Sequence, residues 1–353
     1  MNTLNHTKEY HWATLGCGVI AHQLAQAMES RGRKLYSVAN RTHEKAVAFA
    51  QKYGIEKVYD RIEDVFEDEN VDIIYISTPH NTHMEYLRKA LNAGKHVLCE
   101  KSITLNSEEL DEAIALAEEN HVILAEAMTI YHMPIYKKLN EIIQSSKLGA
   151  LKLIQMNFGS YKEYDMTNRF FNRNLAGGAM LDIGVYALSF VRCFLTSKPD
   201  QILSQVKLAP TGVDEQAGIL LKNKEEEMAT VILSLHAKQP KRGTVCFDKG
   251  YIEIYEYPRG EKAVITYTED GHQEVIESGS TEEALRYEVE DMEKAIDDAA
   301  TEDSVTRKTS DSAPENTTVM IKDCMYLEYT KDVMDMMTAI RRDWGMTYPE
   351  EEK

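Results

Sequence analysis

Along the first third of the chain, short apolar runs alternate with segments whose apolar residues recur every three or four positions. The runs fall at 12–15, 35–39, 58–59, 72–77, 96–99 and 122–125 and read as strands. Between them, 44–53, 61–66, 82–93 and 107–120 read as helices, and Ile20, Leu24, Ala27 and Met28 mark one side of another. Gly54 and Gly94 stand where two of these helices should stop. Strand–helix units repeated in this way predict a doubly wound parallel sheet, covered by helices on both faces.

The pattern then changes. Residues 151–158 alternate loosely, and 178–195 form an apolar helix on which Asp182 and Tyr186, four apart, share a face. Between 202 and 276, runs rich in Val, Ile, Thr and Tyr (217–221, 228–235, 244–247, 251–255, 263–268) are separated by turn residues and predict an antiparallel meander. An acidic amphipathic helix over 282–299 carries Leu285, Val289, Met292 and Ile296 on one side. Residues 301–318 are polar and read as a surface loop or linker. The segment 319–344, with Met320, Met334, Met336, Met337 and Ile340 at helical spacing, is a packing stripe expected to fold back on the body. Two domains are expected, 1–127 and 128–353.

Composition narrows the setting. The 353 residues carry a net charge of -18, which argues against a nucleic-acid or anionic-membrane binder. Five scattered cysteines with no C-x-x-C spacing fit reduced thiols and give no zinc site. The first residues lack the apolar core of a signal peptide, and no apolar run of roughly 18 residues is apparent. A cytoplasmic protein with no metal is expected.

Chemistry gathers at the ends of the predicted parallel strands, where open α/β sheets bind ligands. After the first strand, G-C-G-V-I-A places Gly16, Gly18 and Ala21 between strand and helix. Gly16 would make the tight turn, and Gly18 would let the backbone of Val19 and Ile20 approach a pyrophosphate at the helix N-terminus. A plain glycine turn or a methyltransferase nucleotide loop is the alternative. The second strand ends in Asn40 and Arg41 rather than in a carboxylate; a guanidinium suits a 2′-phosphate, so NADP is favoured over NAD unless Arg41 merely faces solvent. Lys45 adds charge there. The strand at 72–77 leads into Thr78, Pro79, His80, Asn81 and His83; the two histidines could face cofactor or substrate, or Asn81 and His83 could serve the following helix. The run 96–99 ends in Glu100 and Lys101, which project into the same crevice or form an ordinary solvated strand end.

Four motifs in this order, G-C-G-V-I-A, T-P-H-N-T-H, A-G-K-H-V-L-C-E-K and G-G-A-M-L-D-I-G-V-Y (Gly177 to Tyr186), resemble the Gfo/Idh/MocA oxidoreductases. The resemblance implies a Rossmann-type nicotinamide-dinucleotide domain and a second α/β domain on a large open, mostly antiparallel sheet. It assigns Lys101 to the nicotinamide ribose and a substrate hydroxyl, Asp182 to substrate or the catalytic residue, and Tyr186 to the place of a general acid/base histidine. Tyr186, E-A-M-T-I-Y-H-M-P (126–134) and Arg169-Phe170-Phe171 are similar to the branch holding dimeric dihydrodiol dehydrogenase and glucose–fructose oxidoreductase. Ser102 stands where the family has proline, so its cis-proline turn is not assumed. The activity implied is hydride transfer between NADP, or NAD, and a carbinol or carbonyl carbon of a sugar, polyol or cyclic diol. In it Lys101 would lower the Tyr186 pKa and polarise the substrate oxygen, and Asp182 would orient the pair. Arg169, His132 and Tyr131 are further candidates for substrate contacts. A dihydrodiol or dicarbonyl substrate, a non-catalytic NADP sensor, or a cofactor-using glycosidase are the alternatives. By analogy the open sheet would pair with a second copy in a dimer or tetramer.

Overall fold

The computed structural model describes residues 9–309 and 325–352. Six strands, β1 (Trp12–Leu15), β2 (Ser37–Ala39), β3 (Lys57–Val58), β4 (Ile73–Ile76), β5 (His96–Glu100) and β6 (Leu124–Ala127), form a parallel sheet in the order β3-β2-β1-β4-β5-β6. β1, β4 and β6 are buried along their whole length, which is why they read as unbroken apolar runs. β6 begins two residues later than the sequence predicts, so Glu126 lies inside the strand, buried.

The second sheet has eight strands: β7 (Leu151–Gly159), β8 (Gln201–Leu208), β9 (Asp214–Lys222), β10 (Met228–Ser234), β11 (Arg242–Phe247), β12 (Gly250–Tyr255), β13 (Lys262–Tyr267) and β14 (Gln273–Glu277). Their order is β14-β13-β12-β11-β7-β10-β9-β8. The meander holds for β8 to β10 and for β11 to β14. Between the two runs β7 is inserted, antiparallel to β11 and parallel to β10. This long-range pairing has no local turn signal. One face packs on helix Val185–Phe194, while the other exposes Leu203, Ile232, Tyr251 and Tyr255.

Helix Ala284–Thr309 runs through 301–309, where a loop was expected; the rest of that segment, 310–318, lies outside the described residues, as do 319–324 of the expected last helix. The segment Arg173–Phe194 is long and apolar enough to span a membrane by length and composition, contrary to the sequence reading, yet most of its apolar window is buried in the fold as a core helix. Helix Leu327–Asp343 buries Met334, Met336, Met337 and Ile340 against helices Ser107–Glu119 and Val185–Phe194. The C-terminal turn Pro349–Glu352 ties the loops after β4 and β5 to helix Leu327–Asp343 and to the Arg173–Leu175 turn. Glu351 pairs with Arg341 at 2.9 Å and accepts from Asn106 at 3.0 Å, Glu350 accepts from Asn81 at 3.1 Å, and Arg173 reaches Glu352.

Candidate active site

A cleft of about 580 Å³ opens at the carboxyl ends of β1, β2, β4 and β5, and Arg169, Leu175 and Tyr186 close it from the other side. Gly16, Gly18, Val19, Ile20, Asn40, Arg41, Thr78, Pro79, His80, Glu100 and Lys101 all line it.

The glycine-loop wall is made by backbone. Gly16 has φ +109, and a Cβ there would stand 2.8 Å from the Ser77 carbonyl oxygen. A Cβ on Gly18 would meet nothing within 4 Å, so this residue leaves an open approach at the start of helix Val19–Glu29. That helix has neither a side-chain cap nor an acidic residue in its first turn. Its free N–H groups and dipole therefore favour an anion. Asn40 donates to the Thr42 carbonyl at 2.9 Å, fastening the β2 turn. Arg41 and Lys45 flank this end of the cleft, and neither has a carboxylate at ion-pair distance among the described residues. An open cradle of backbone N–H groups beside two cations that no described carboxylate pairs suits an anionic dinucleotide.

His80 lies on the cleft with Nε2 3.0 Å from the Lys101 carbonyl oxygen. Burial, with Lys101 next, lowers its pKa and keeps it neutral, so the proton sits on Nε2 and Nδ1 is left as an acceptor. His83 does not reach the cleft. It is fully buried, with Nδ1 2.9 Å from the Ser102 oxygen and Nε2 2.9 Å from the Thr78 oxygen, stapling the β4 loop to the turn after β5. Glu100 borders the cleft, but its carboxylate accepts from the Tyr75 hydroxyl, and burial raises its pKa.

The facing wall is a helix held from several sides. Gly178 has φ +122, and a Cβ there would fall 2.2 Å from Asp214 Oδ1; a Cβ on Gly177 would meet the Arg169 oxygen at 2.6 Å. Buried Asp214 accepts from Met180 N–H at 2.6 Å, and Tyr348 donates to the Gly177 carbonyl at 2.7 Å. The helix opens with a π turn, Met180–Gly184. Its outward carbonyls are taken up across the cleft: Ser102 Oγ donates to Leu181 at 3.0 Å, and Lys101 Nζ to Asp182 at 2.8 Å. The Lys101–Ser102 peptide is cis, as the family's proline would make it.

Lys101 Nζ also stands 3.5 Å from Asp182 Oδ1 and 5.0 Å from the centroid of the Tyr186 ring. Arg169 reaches the same carboxylate oxygen at 3.5 Å. Burial opposes ionisation of Asp182, but Lys101 and then Arg169 outweigh it, and the carboxyl is held below its ordinary range. Tyr186 behaves opposite to the expectation. Burial first, and Glu100 next, push its pKa well above 10, with Glu288 and Asp182 adding to the rise and Arg259 only partly offsetting it. In this arrangement Tyr186 is a phenol with a proton to give.

Two other candidates fall away. His132 is buried with Nδ1 2.9 Å from Asp291, and Tyr131 is a core residue stacked on Tyr326. Glu288 was missed. It is 1% exposed, neither carboxylate oxygen has a hydrogen-bond partner among the described residues, and burial with Glu100 raises its pKa well above the ordinary value. Its place on the Leu285–Val289–Met292 stripe of an acidic helix was the sign that could have found it.

The sequence model described as the oxidoreductase family with NAD-binding Rossmann fold matches residues 10–128, and that of the GFO/IDH/MocA C-terminal domain matches 136–253. Trans-1,2-dihydrobenzene-1,2-diol dehydrogenase of Xenopus tropicalis is 30% identical over 247 residues, 69% of this chain and 74% of that protein. The chain belongs to the Gfo/Idh/MocA oxidoreductase family. The enzyme of the same name from Mus musculus is 31% identical over 249 residues, again 69% of this chain and 74% of that protein. Among solved Gfo/Idh/MocA-like folds, the 3-ketoreductase KijD10 of Actinomadura kijaniata, in complex with NADP and TDP-benzene, superposes with a TM-score of 0.79 at 18% identity, covering 95% of this chain and 98% of that one. Levoglucosan dehydrogenase in complex with NADH gives 0.77 at 15%, covering 94% and 98%. At these identities the structural likeness is one of fold. As a Gfo/Idh/MocA protein, the chain is an NAD(P)-dependent oxidoreductase with a Rossmann dinucleotide domain.

Proposed function

We propose that the chain interconverts a carbinol and a carbonyl on a polyol, sugar or cyclic diol, with NADP preferred over NAD. The observation that carries this reading is that Lys101 and Tyr186 line one cleft with the glycine loop, while Asp182, which does not itself line it, stands 3.5 Å from the Lys101 ammonium. Gly16 to Ile20 would hold the pyrophosphate, and Arg41 with Lys45 the 2′-phosphate. When bound, the nicotinamide supplies hydride exchange. Lys101 and Asp182 orient the substrate oxygen, and Tyr186 transfers the proton at that oxygen. A phenol with a raised pKa favours carbonyl reduction at neutral pH, since it enters the step already protonated. For alcohol oxidation the phenol must first lose its proton, and Lys101, 5.0 Å from the ring centroid, is a cation placed to stabilise the phenolate. The related dihydrodiol dehydrogenases support a diol substrate, and levoglucosan dehydrogenase a sugar one. The exposed Leu203, Ile232 and Tyr255 on the outer sheet face support pairing with a second copy, and a monomer by light scattering at micromolar concentration would exclude it. The free Cys17, Cys99, Cys193 and Cys246 support a cytoplasmic setting.

Tyr186→Phe tests the proton role. Its expected effect is a loss of turnover by roughly 10²–10⁴ with NADPH affinity, read by fluorescence titration, within about three-fold of the parent. A variant that turns over its best substrate at the parental rate would refute the assignment.

A further inference from the structure

The chain carries a net charge of -18, yet cations gather around Asp182 beside the cleft. Lys101, Arg169 and Lys162 all act on the Asp182 carboxylate and Lys241 on Lys162, while Glu100, which also borders the cleft, is held by the Tyr75 hydroxyl. Lys101 and Arg169 share one oxygen of that carboxylate, each at 3.5 Å. Lys241 pairs at 3.0 Å with Glu256 and lies 5.4 Å from the Phe158 centroid, a ring that itself sits 6.1 Å from Tyr186. Lys162 has no carboxylate at ion-pair distance among the described residues. Its ammonium lies 4.1 Å from the centroid of Phe170, the ring that Arg169 also covers at 4.1 Å.

A half-buried ammonium on an aromatic shelf, facing three like charges, is a costly arrangement in a protein alone. Burial first, and then Arg169 and Lys101, lower its pKa, while Asp182 offsets only part of this. Such a cation is stabilised when an anion arrives. The cofactor's phosphates do not supply it, because their cradle is the Gly16–Ile20 loop and the Arg41–Lys45 pair at the other wall.

We propose that the substrate bears an anionic group, a carboxylate or a phosphate, which Lys162 and Arg169 receive while its carbinol or carbonyl faces Tyr186 and Lys101. This rests on the dehydrogenase reading above and adds the charge class of the substrate. Arg169 then exchanges part of its contact with Asp182 for the incoming anion, and Lys162 gains the counter-charge it lacks. A charge-assisted contact to each cation predicts a preference of roughly ten- to a hundred-fold over a neutral analogue of the same skeleton.

The test is calorimetric titration of the full chain saturated with NADP, using glucose, glucuronate and glucose 6-phosphate as probes, with nicotinamide absorbance followed on the same mixtures. Expected is binding of at least one anion about ten-fold or more tighter than glucose. Lys162→Gln should bring the two toward parity, and Lys162→Arg should keep the preference within about three-fold of the parent. Glucuronate ahead of glucose 6-phosphate identifies a carboxylate, and the reverse a phosphate. Equal binding of glucose and both anions, no binding of any probe, or a preference that survives Lys162→Gln in a variant with parental melting temperature overturns the anion site. Turnover of neutral sugars or diols without anion preference leaves the dehydrogenase reading standing alone. Anion preference without nicotinamide turnover on any carbinol or carbonyl leaves the site and removes that reading.

Discussion

The two walls of the cleft are built by different means. The glycine-loop wall is made by consecutive backbone: Gly16, Gly18 and the bare N-terminus of helix Val19–Glu29 would bind whatever the side chains around them did. The Asp182 wall is made by side chains arriving from far apart in the chain. Asp214 from β9 and Lys101 and Ser102 from the turn after β5 fasten one π turn, and Tyr348 from the C-terminal tail fastens Gly177 just before it. The first wall needs a local motif and the second needs the whole fold. Binding and chemistry should therefore be separable by mutation.

Gly178→Ala and Gly16→Ala break the comparison most sharply. At Gly178 the new methyl would meet the buried Asp214 carboxylate and force an unfavourable φ on the turn that carries Asp182. Turnover should fall by roughly 10² or more, as a small misplacement of reacting groups does, with NADPH affinity little changed. At Gly16 the methyl meets the Ser77 backbone, and the loss should appear in NADPH affinity, again by about 10², consistent with strain of roughly 1–3 kcal/mol. Steady-state kinetics with parallel fluorescence titration reads both. If both variants lose affinity and turnover alike, the walls are one unit and the distinction fails.

A smaller effect sharpens the glycine-loop wall alone. Arg41→Gln removes one of two cations at the β2 end that have no carboxylate partner among the described residues. NADPH should bind about ten-fold more weakly, with NADH unchanged, since a phosphate contact from an exposed guanidinium supplies on the order of 1–2 kcal/mol. Equal losses for the two cofactors would place Arg41 in the architecture of the turn instead.

The same contrast explains what the chain reveals when read alone. The parallel sheet is legible because each buried strand is an apolar run and each helix a periodic one. The motif from Gly16 to Ala21 is legible because its physics is confined to a few adjacent residues. His83 was misplaced because sequence shows a histidine at a strand end but not which way it turns, and here its ring is turned inward between the Ser102 and Thr78 carbonyls, where the neutral imidazole donates from one nitrogen. Tyr131 and His132 were misplaced because their segment is buried under Tyr326 and beside Asp291, partners distant in the chain. The lowered pKa expected of Tyr186 counted its nearest cation. It could not count the burial of the phenol or the charges of Glu100 and Glu288 that the fold brings near it. The insertion of β7 between β11 and β10 was equally hidden, being a pairing without a turn.

Glu126 gives the mildest test, of how the long-range fastening is held. It lies buried in β6, accepts from Ile103 N–H at 3.0 Å and Thr330 Oγ1 at 3.3 Å, and so joins the Lys101 turn to the last helix. Burial raises its pKa to about 7, more than these donors lower it. The folded chain therefore keeps this proton up to about pH 7, whereas the unfolded chain releases it near the ordinary value of 4.5. Between those limits the native state binds more protons, so this group's contribution to stability falls as pH rises from 4.5 to 7 and stays low above it. The full difference is on the order of 3 kcal/mol as an upper bound. Glu126→Gln keeps an acceptor for Ile103 without the charge. It should melt above the parent at pH 8 and together with it at pH 4, with activity retained at both. A stability difference that does not change with pH would mean that Glu126 acts by shape and hydrogen bonding alone, and that the junction beneath Lys101 holds no proton of its own.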